Sequence, residues 1–467
     1  MSSLIHRIVS ILLLSVIPIS VLASGNEAHP IDFTRDWTGL ICLVIFVIGY
    51  LLVAGEEPLS MKKSKPMLVA GSLIWVIAAI AYNLHGDKHT AEILFRSNIE
   101  YYTELFLFLL AAMTFVNAMS ERGLFASLQN WLAEKSYSLR QIYWIIGLLT
   151  FLISTFVANL AIALLMVTIL VGVSSENRKF IVAGSINIVV AANAGGVFTP
   201  FGDITSLMVW QQGLLEFKEF LSLGIPALVS WLIPAIVLSF TFDDGKAEIR
   251  RDNSQLREGA WVVVLLFALT LVGSVWFESY LHLPAAIGMM TGLGVLKLYG
   301  YRLKRKGVPH VPNKGPADQE KQFDIFRSLE RSEWDTLMFL LGIVLSIGGL
   351  AAMGYLLLTS EFLYGVLGPT AANTLMGLVS AFIENVPLMF SVLGMQPTMD
   401  HSQWLLVTLT ASVGGSLLSI GSAAGVAVMG QAQGVYTFMS HLRWTWVIAL
   451  GYAASIGLHF VMNTGSL

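Results

Sequence analysis

Two carboxylates, Asp203 and Glu384, stand in long apolar stretches, each beside residues that carry oxygen on short side chains. Asp203 follows Thr199 and precedes Thr205, while Glu384 adjoins Asn385; Asn159, Ser419 and Ser422 occupy similar apolar surroundings. A charge at the centre of a bilayer costs on the order of 3 kcal/mol on insertion scales, so a retained carboxylate there is a functional candidate by default. Hydroxyl, amide and carboxylate oxygens suit a hard cation. A desolvated carboxylate holds a proton or a small cation and rarely neither, and that competition is the chemistry of cation/proton exchange. Glu104 and Asp335 are further acids in matching contexts, Glu104-Leu-Phe-Leu-Phe-Leu against Asp335-Thr-Leu-Met-Phe-Leu, although both also suit a helix N-terminus. The amides of Asn159 and Asn385 have a plainer role open to them, bonding their own backbone.

The elements that must hold these groups are interrupted helices. Ala194-Gly195-Gly196-Val197-Phe198-Thr199-Pro200-Phe201-Gly202-Asp203 sits inside an apolar segment where a membrane helix should be regular. Proline removes a backbone donor and each glycine costs about 1 kcal/mol against alanine, so the helix unwinds here and frees peptide groups. The pattern returns 219 residues on, at Val413-Gly414-Gly415-Ser416-Leu417-Leu418-Ser419-Ile420-Gly421-Ser422. A companion motif precedes each break: Ser154-Thr155-Phe156-Val157-Ala158-Asn159-Leu160 matches Ser380-Ala381-Phe382-Ile383-Glu384-Asn385-Val386, 226 residues on. Two matched pairs at nearly one offset argue for internal duplication. Broken helices in corresponding places of two halves point to a transporter's binding site, whereas glycine pairs that merely let helices pack would explain one pair alone.

Composition sets the class. Hydrophobic residues make up 55% of the 467 positions and charged residues 12%, about half the share usual in soluble domains, so the chain is an integral membrane protein. A net charge of -3 gives no case for nucleic acid, and the single cysteine, Cys42, allows no disulfide framework. The histidines are scattered and no His-Glu-x-x-His occurs, so an enzyme is not expected, nor a cofactor or resident metal. Residues 1–23, with His6 and Arg7 ahead of an apolar run ending Val21-Leu22-Ala23, read as a signal peptide or an uncleaved first helix.

Apolar segments of spanning length are expected near Trp37–Ala54, Met67–Leu84, Tyr101–Ser120, Phe180–Gln212, Phe220–Phe242, Ala260–Phe277, Pro284–Tyr301, Thr336–Leu358, His401–Ser440 and Trp444–Met462. Gln141–Gly172 and Gly365–Met395 are too long for one span, and each carries its Asn motif in the middle. Lysine and arginine mark cytoplasmic loops: Lys62, Lys63 and Lys65; Arg122, Lys135 and Arg140; Arg178 and Lys179; Lys246, Arg250, Arg251 and Arg257. On that count Gln141–Gly172 enters and leaves from inside, and Gly365–Met395 from outside, as two re-entrant hairpins. The fold class read from the sequence is therefore an all-α polytopic membrane protein of two inverted-topology repeats, 24–242 and 260–467, each with a re-entrant hairpin and a broken transmembrane helix. A linker, 243–259, joins them, and the basic, proline-bearing stretch within 302–335 reads as a flexible cytoplasmic loop.

At these residues the chain resembles the NhaD family of bacterial sodium/proton antiporters, within the ion transporter superfamily that includes arsenite permeases and dicarboxylate carriers. The resemblance is carried by Lys62-Lys63-Ser64-Lys65-Pro66, Glu104-Leu-Phe-Leu-Phe-Leu, Asn177-Arg178-Lys179-Phe180, Asn187-Ile-Val-Val-Ala-Ala-Asn193-Ala-Gly-Gly, Pro200-Phe-Gly-Asp203-Ile-Thr205, Glu333-Trp-Asp335-Thr336 and Gly421-Ser-Ala-Ala-Gly425-Val. It implies export of sodium or lithium against protons across a bacterial inner membrane, with two hairpins and two broken helices around the ion. Lipid and a homodimer are further expected associations. The family's first hairpin carries Asp-Asn-Leu followed by threonines; here it reads Ala158-Asn159-Leu160-Ala161-Ile162, and the second hairpin's aspartate is Glu384. Two other readings stay open: a sodium-coupled carrier for a small anion or arsenite, and a degenerate membrane protein that transports nothing.

Overall fold

The structure, a computed structural model, describes residues 31–59, 61–135, 137–173, 177–245, 256–306, 325–432 and 434–463. The expected leader at 1–23 and most of the 302–335 loop lie outside those residues. Among the described residues the chain is helical, with no β-strand, and seven helices are long and apolar enough to cross a membrane by length and composition.

Three long helices come first, α1 (Trp37–Ala54), α2 (Ser64–Leu84) and α3 (Thr90–Glu121), with a one-turn helix at Glu56–Leu59 between the first two. The third starts eleven residues before the apolar run that predicts it. Its polar first turns are held by an Arg96–Glu92 pair at 2.8 Å, one helical turn apart, which hydropathy alone misses. After a helix at Leu124–Glu134 come two short helices, α4 (Leu139–Ser154) and α5 (Asn159–Val173), separated by four residues and packed on each other. A reciprocal cap starts α4: the Gln141 amide donates to Ser138 Oγ at 3.3 Å, and the Ser138 amide to Gln141 Oε1 at 3.0 Å. Then α6 (Arg178–Gly196) and α7 (Ile204–Gln211) flank the first glycine-rich break, and α8 (Gly224–Ser239) follows.

The second series repeats the order: α9 (Ala260–Leu281), α10 (Ala285–Lys306), α11 (Trp334–Ala352), the short pair α12 (Pro369–Val379) and α13 (Asn385–Met395), then α14 (His401–Gly414) and α15 (Ala423–Gln431) around the second break, and α16 (Thr445–Asn463). Ahead of α11 the stretch expected to be a loop contains a helix, Ile325–Glu330, which docks on α3. There Asn117 Nδ2 donates to the Ser328 carbonyl at 3.0 Å and Ser328 Oγ to Glu121 at 3.1 Å, so satisfied polar groups, rather than apolar length, order it.

The packing pairs repeat as well. In the first series α4 lies on α6, and in the second α12 lies on α14; α8 meets α16 and α6 meets α14. Helix α6 is the centre of the molecule, 89% buried, against 33% for α9 and α16, whose exposed apolar side chains suit lipid. Buried amides replace the missing hydrophobic force between such helices: Asn187 on α6 donates to the Tyr143 carbonyl at 2.9 Å and accepts from Trp231 Nε1 at 2.7 Å, tying α4, α6 and α8 together. Pro234 within α8 cannot donate to Ser230, and the freed Ser230 carbonyl is approached by Gly451, where a Cβ would come within 2.5 Å.

Candidate functional site

Both breaks are built on the same contacts. A Cβ on Gly195 would lie 2.1 Å from the Phe151 carbonyl oxygen, and one on Gly414 would lie 2.0 Å from that of Gly377. Likewise Gly202 would meet Ser154 O at 2.1 Å and Gly421 would meet Ser380 O at 2.6 Å. No real Cβ tolerates such distances, so these four positions admit glycine because two backbones must touch. The partners of the paired glycines are the third glycines themselves: Gly196 faces Gly202 O and Gly415 faces Gly421 O. Serine clamps close the same joint, Ser154 Oγ donating to Ala192 O and Ser380 Oγ to Ala411 O, each at 2.6 Å. Each short helix pair thus presses its turn into the break that follows it.

At the first break Asp203 caps α7 and is 3% exposed. Its carboxylate accepts Asn385 Nδ2 at 3.0 Å and the hydroxyl of Ser412, and it also receives the Thr205 amide at 3.5 Å. Asn385 opens α13 and Ser412 lies near the end of α14, so two donors from the second series converge on an acid of the first. Ser412 Oγ is also 3.2 Å from the Asn193 carbonyl, and from Asn193 the chain of bonds continues. Asn193 Nδ2 donates to Ser416 Oγ and Ser422 Oγ, both at 2.9 Å, and Asn193 Oδ1 accepts Asn159 Nδ2 at 3.2 Å. Asn159 also bonds its own backbone, Oδ1 accepting the Leu160 amide at 2.8 Å, so the plainer role and the network role coexist. Asn159, Asn193, Asp203, Asn385, Ser412, Ser416 and Ser422 are all buried and form one connected polar group in an apolar surround. A carboxylate, three hydroxyls and three amides, here bonded to one another, are oxygen-bearing groups of the kind that hard cations take.

The other sequence candidates fall around this group. Thr199 donates to the Thr155 carbonyl, bonding the break to the α4–α5 turn. Thr205 contributes its backbone amide to Asp203, and Ser419 Oγ lies 3.8 Å from Met429 Sδ, outside the network. Glu384 turns away from Asn385's partner and pairs with Lys63 Nζ at 2.9 Å, with 16% and 18% of the two side chains exposed. Lys63, expected only as a loop charge, also lies over the Phe339 ring at 4.8 Å. Asp335 accepts the Ser64 hydroxyl and so joins α11 to α2. Glu104 is half-buried on α3, and no hydrogen bond joins it to Asp203 among the described residues.

Sequence reasoning missed three members of the network as ion-site candidates, Asn193, Ser412 and Ser416, and a supporting histidine. His441 is buried, with Nε2 2.9 Å from the Ser416 carbonyl and Nδ1 2.6 Å from Tyr436 Oη, so it props the second break from behind. A signal for Asn193 and Ser412 was available: the two polar residues match each other at the break offset.

Residues 33–414 match the family described as "Citrate transporter". Among curated proteins, the chain is 49% identical over 450 residues to the "Na(+)/H(+) antiporter NhaD" of Alkalimonas amylolytica, covering 94% of this chain and 93% of that one. It is 47% identical over 469 residues to the protein of the same name from Halomonas elongata, covering 98% and 95%. A plant relative, "Sodium/proton antiporter 1" of Arabidopsis thaliana, is 30% identical over 439 residues, 90% of this chain and 72% of its own length. With matched breaks around a buried acid, and near-half identity along almost its whole length, this chain belongs to the NhaD family of sodium/proton antiporters, within the larger citrate-transporter family.

Proposed function

We propose that the protein exchanges sodium, or lithium, for protons across the bacterial cytoplasmic membrane, and that Asp203 is the carboxylate on which the two ions compete. The observation that carries this is the setting of Asp203. It is buried, it faces the helix break, and the donors to it are an amide, a hydroxyl and a backbone N–H rather than a cationic side chain. A carboxylate so held keeps its charge available for a proton or a dehydrated cation, but not both. The neutral hydroxyls and amides of Asn159, Asn193, Ser412, Ser416 and Ser422 complete the oxygen set. The relatives named as sodium/proton antiporters, 49% and 47% identical to this chain, supply the identity of the ion.

The inverted-repeat reading belongs to the same proposal. Its support is the matched order of elements, the two glycine joints with equivalent contacts, and the exchange of partners between series: α7 packs on α13, and α15 on α5. In that arrangement α4–α5 and α12–α13 are re-entrant hairpins from opposite faces whose turns meet the two breaks near the midplane. Glu384, held by Lys63 beside the Asn385 ligand, is a second acid within reach of the cation's path, with the Lys63 ammonium occupying it when no ion does.

Dequenching of a pH-sensitive dye in everted vesicles tests the reading. Sodium and lithium should each dissipate the proton gradient; potassium, arsenite and citrate should not. A response to citrate, in place of sodium, would transfer the protein to the anion-carrying branch of its larger family. Sodium-driven exchange that survives unchanged in purified Asp203→Asn would remove Asp203 from the ion's path.

A further inference from the structure

At one end of the molecule the first turn of α6, the chain just after α8 and the segment leading into α16 enclose a cavity of about 990 Å³. Three cations line it, Arg178, Lys179 and Arg443, all exposed, and among the described residues no carboxylate does. Arg178 Nη2 reaches the Gly434 carbonyl at 3.4 Å, which steadies one guanidinium at the rim. Three hydroxyl residues and a set of apolar and aromatic side chains complete the lining: Trp446 is 58% exposed and Met439 65% exposed, with Trp444 half-buried between them.

This cavity is unlike the ion site in every respect. Three like charges would repel sodium, so it is no vestibule for the cation, and its chemistry takes an anion. Its position is equally specific. Each element that builds it is the end of an apolar span, so whichever face it occupies it sits at the boundary between hydrocarbon and water. There tryptophan is favoured, and basic pockets between membrane helices receive phosphate headgroups. Exposed Trp446 and Met439 beside the cations offer a surface to acyl chains that a soluble anion would leave wet. The lining hydroxyls of Thr437 and Ser440 are engaged in capping their own short helix, so the charge recognition falls to the three basic side chains.

We propose that this cavity is a binding site for an anionic phospholipid, whose phosphate lies between Arg178, Lys179 and Arg443 and whose chains run along Trp446 and Met439. The site is separate from the exchange reading and can fail without affecting it. Bound there, the lipid would tie α6, which carries the first break, to α16.

Thermal unfolding of the purified full-length chain in a neutral detergent tests this, with cardiolipin, phosphatidylglycerol, phosphatidylcholine and inorganic phosphate added separately. The two anionic lipids should each raise Tm by about 2 °C or more, and phosphatidylcholine and inorganic phosphate should not. In Arg178→Gln/Lys179→Gln/Arg443→Gln the difference between anionic and neutral lipid should disappear. Because Arg178 and Lys179 also act in membrane orientation, Arg443→Gln alone is the second variant, expected to lose part of the difference, with bound lipid counted by native mass spectrometry. Equal protection by phosphatidylcholine would overturn the proposal, as would undiminished anionic selectivity in both variants. Protection by inorganic phosphate alone would make it a soluble-anion site and also overturn it.

Discussion

Two interfaces of this protein occupy matching places and differ in charge. Helix α7 packs on α13, and α15 packs on α5. The first carries Asp203 at the start of α7 and Glu384-Asn385 at the start of α13; the second carries Ser422 at the start of α15 and Ala158-Asn159 at the start of α5. Both keep the amide, the capping oxygen and the glycine joint. Only one keeps the acids. The two interfaces therefore share the parts that let backbones touch, where any side chain would collide, and differ in charge, since each buried carboxylate costs on the order of 3 kcal/mol.

The sharpest way to break this comparison is to neutralise the acidic interface. Asp203→Asn should lower sodium-driven exchange by about 100-fold, the scale of losing ~3 kcal/mol of charged interaction, with the protein still inserted and folded. Ser422→Ala, at the equivalent cap, should cost no more than about tenfold, since a neutral hydroxyl bond is worth ~1 kcal/mol. Initial rates in proteoliposomes measure both, and equal losses would mean that the two interfaces share the ion evenly.

Next in size is the Lys63–Glu384 pair. Removing either partner leaves a charge in a partly buried place, so Lys63→Gln and Glu384→Gln should each reduce exchange about tenfold or more, while the double variant should lose less than the two combined. A double-mutant cycle on apparent sodium affinity reads the coupling; strict additivity would separate Lys63 from the ion's path.

Smaller, and expected to be equal on the two sides, is the effect of the joints. Gly195→Ala and Gly414→Ala each force a methyl against a carbonyl oxygen at about 2 Å and should destabilise the protein by about 1–3 kcal/mol or more. Matched falls in Tm would uphold the shared scaffold; a large fall for one alone would say that one break has relaxed.

Last, Ala158→Asp would return a carboxylate to the neutral interface. Ala158 lines a cavity of about 80 Å³ shared with Phe108, Phe201 and Glu333, so there is room for little more than the added carboxyl group. The sodium concentration for half-maximal exchange should fall by about twofold to fivefold, under ~1 kcal/mol, as expected for one more charge near the ion. No change would show that the first short helix pair has been repacked as an apolar wall.

How far the sequence could be read differs with the kind of interaction. Glycines at 195, 196, 202, 414, 415 and 421 announced the breaks, four of them, at 195, 202, 414 and 421, because no other residue permits that backbone approach, and apolar runs announced the helices because hydrocarbon admits little else. The Asn motifs placed the two short helix pairs by spacing alone. Residue composition and repeat offset were thus enough for an all-helical polytopic membrane protein, for the breaks and for Asp203 as an acid with no ordinary reason to be in an apolar segment. What the chain alone left open is which side chains meet. Asn385 and Ser412 reach Asp203 from 182 and 209 residues away, and Lys63 reaches Glu384 from 321. Hydrogen bonds and ion pairs act over about 3 Å and carry no periodic trace along the sequence, so a lysine read as a loop charge and a serine read as helix interior acquire their roles only when the helices are packed.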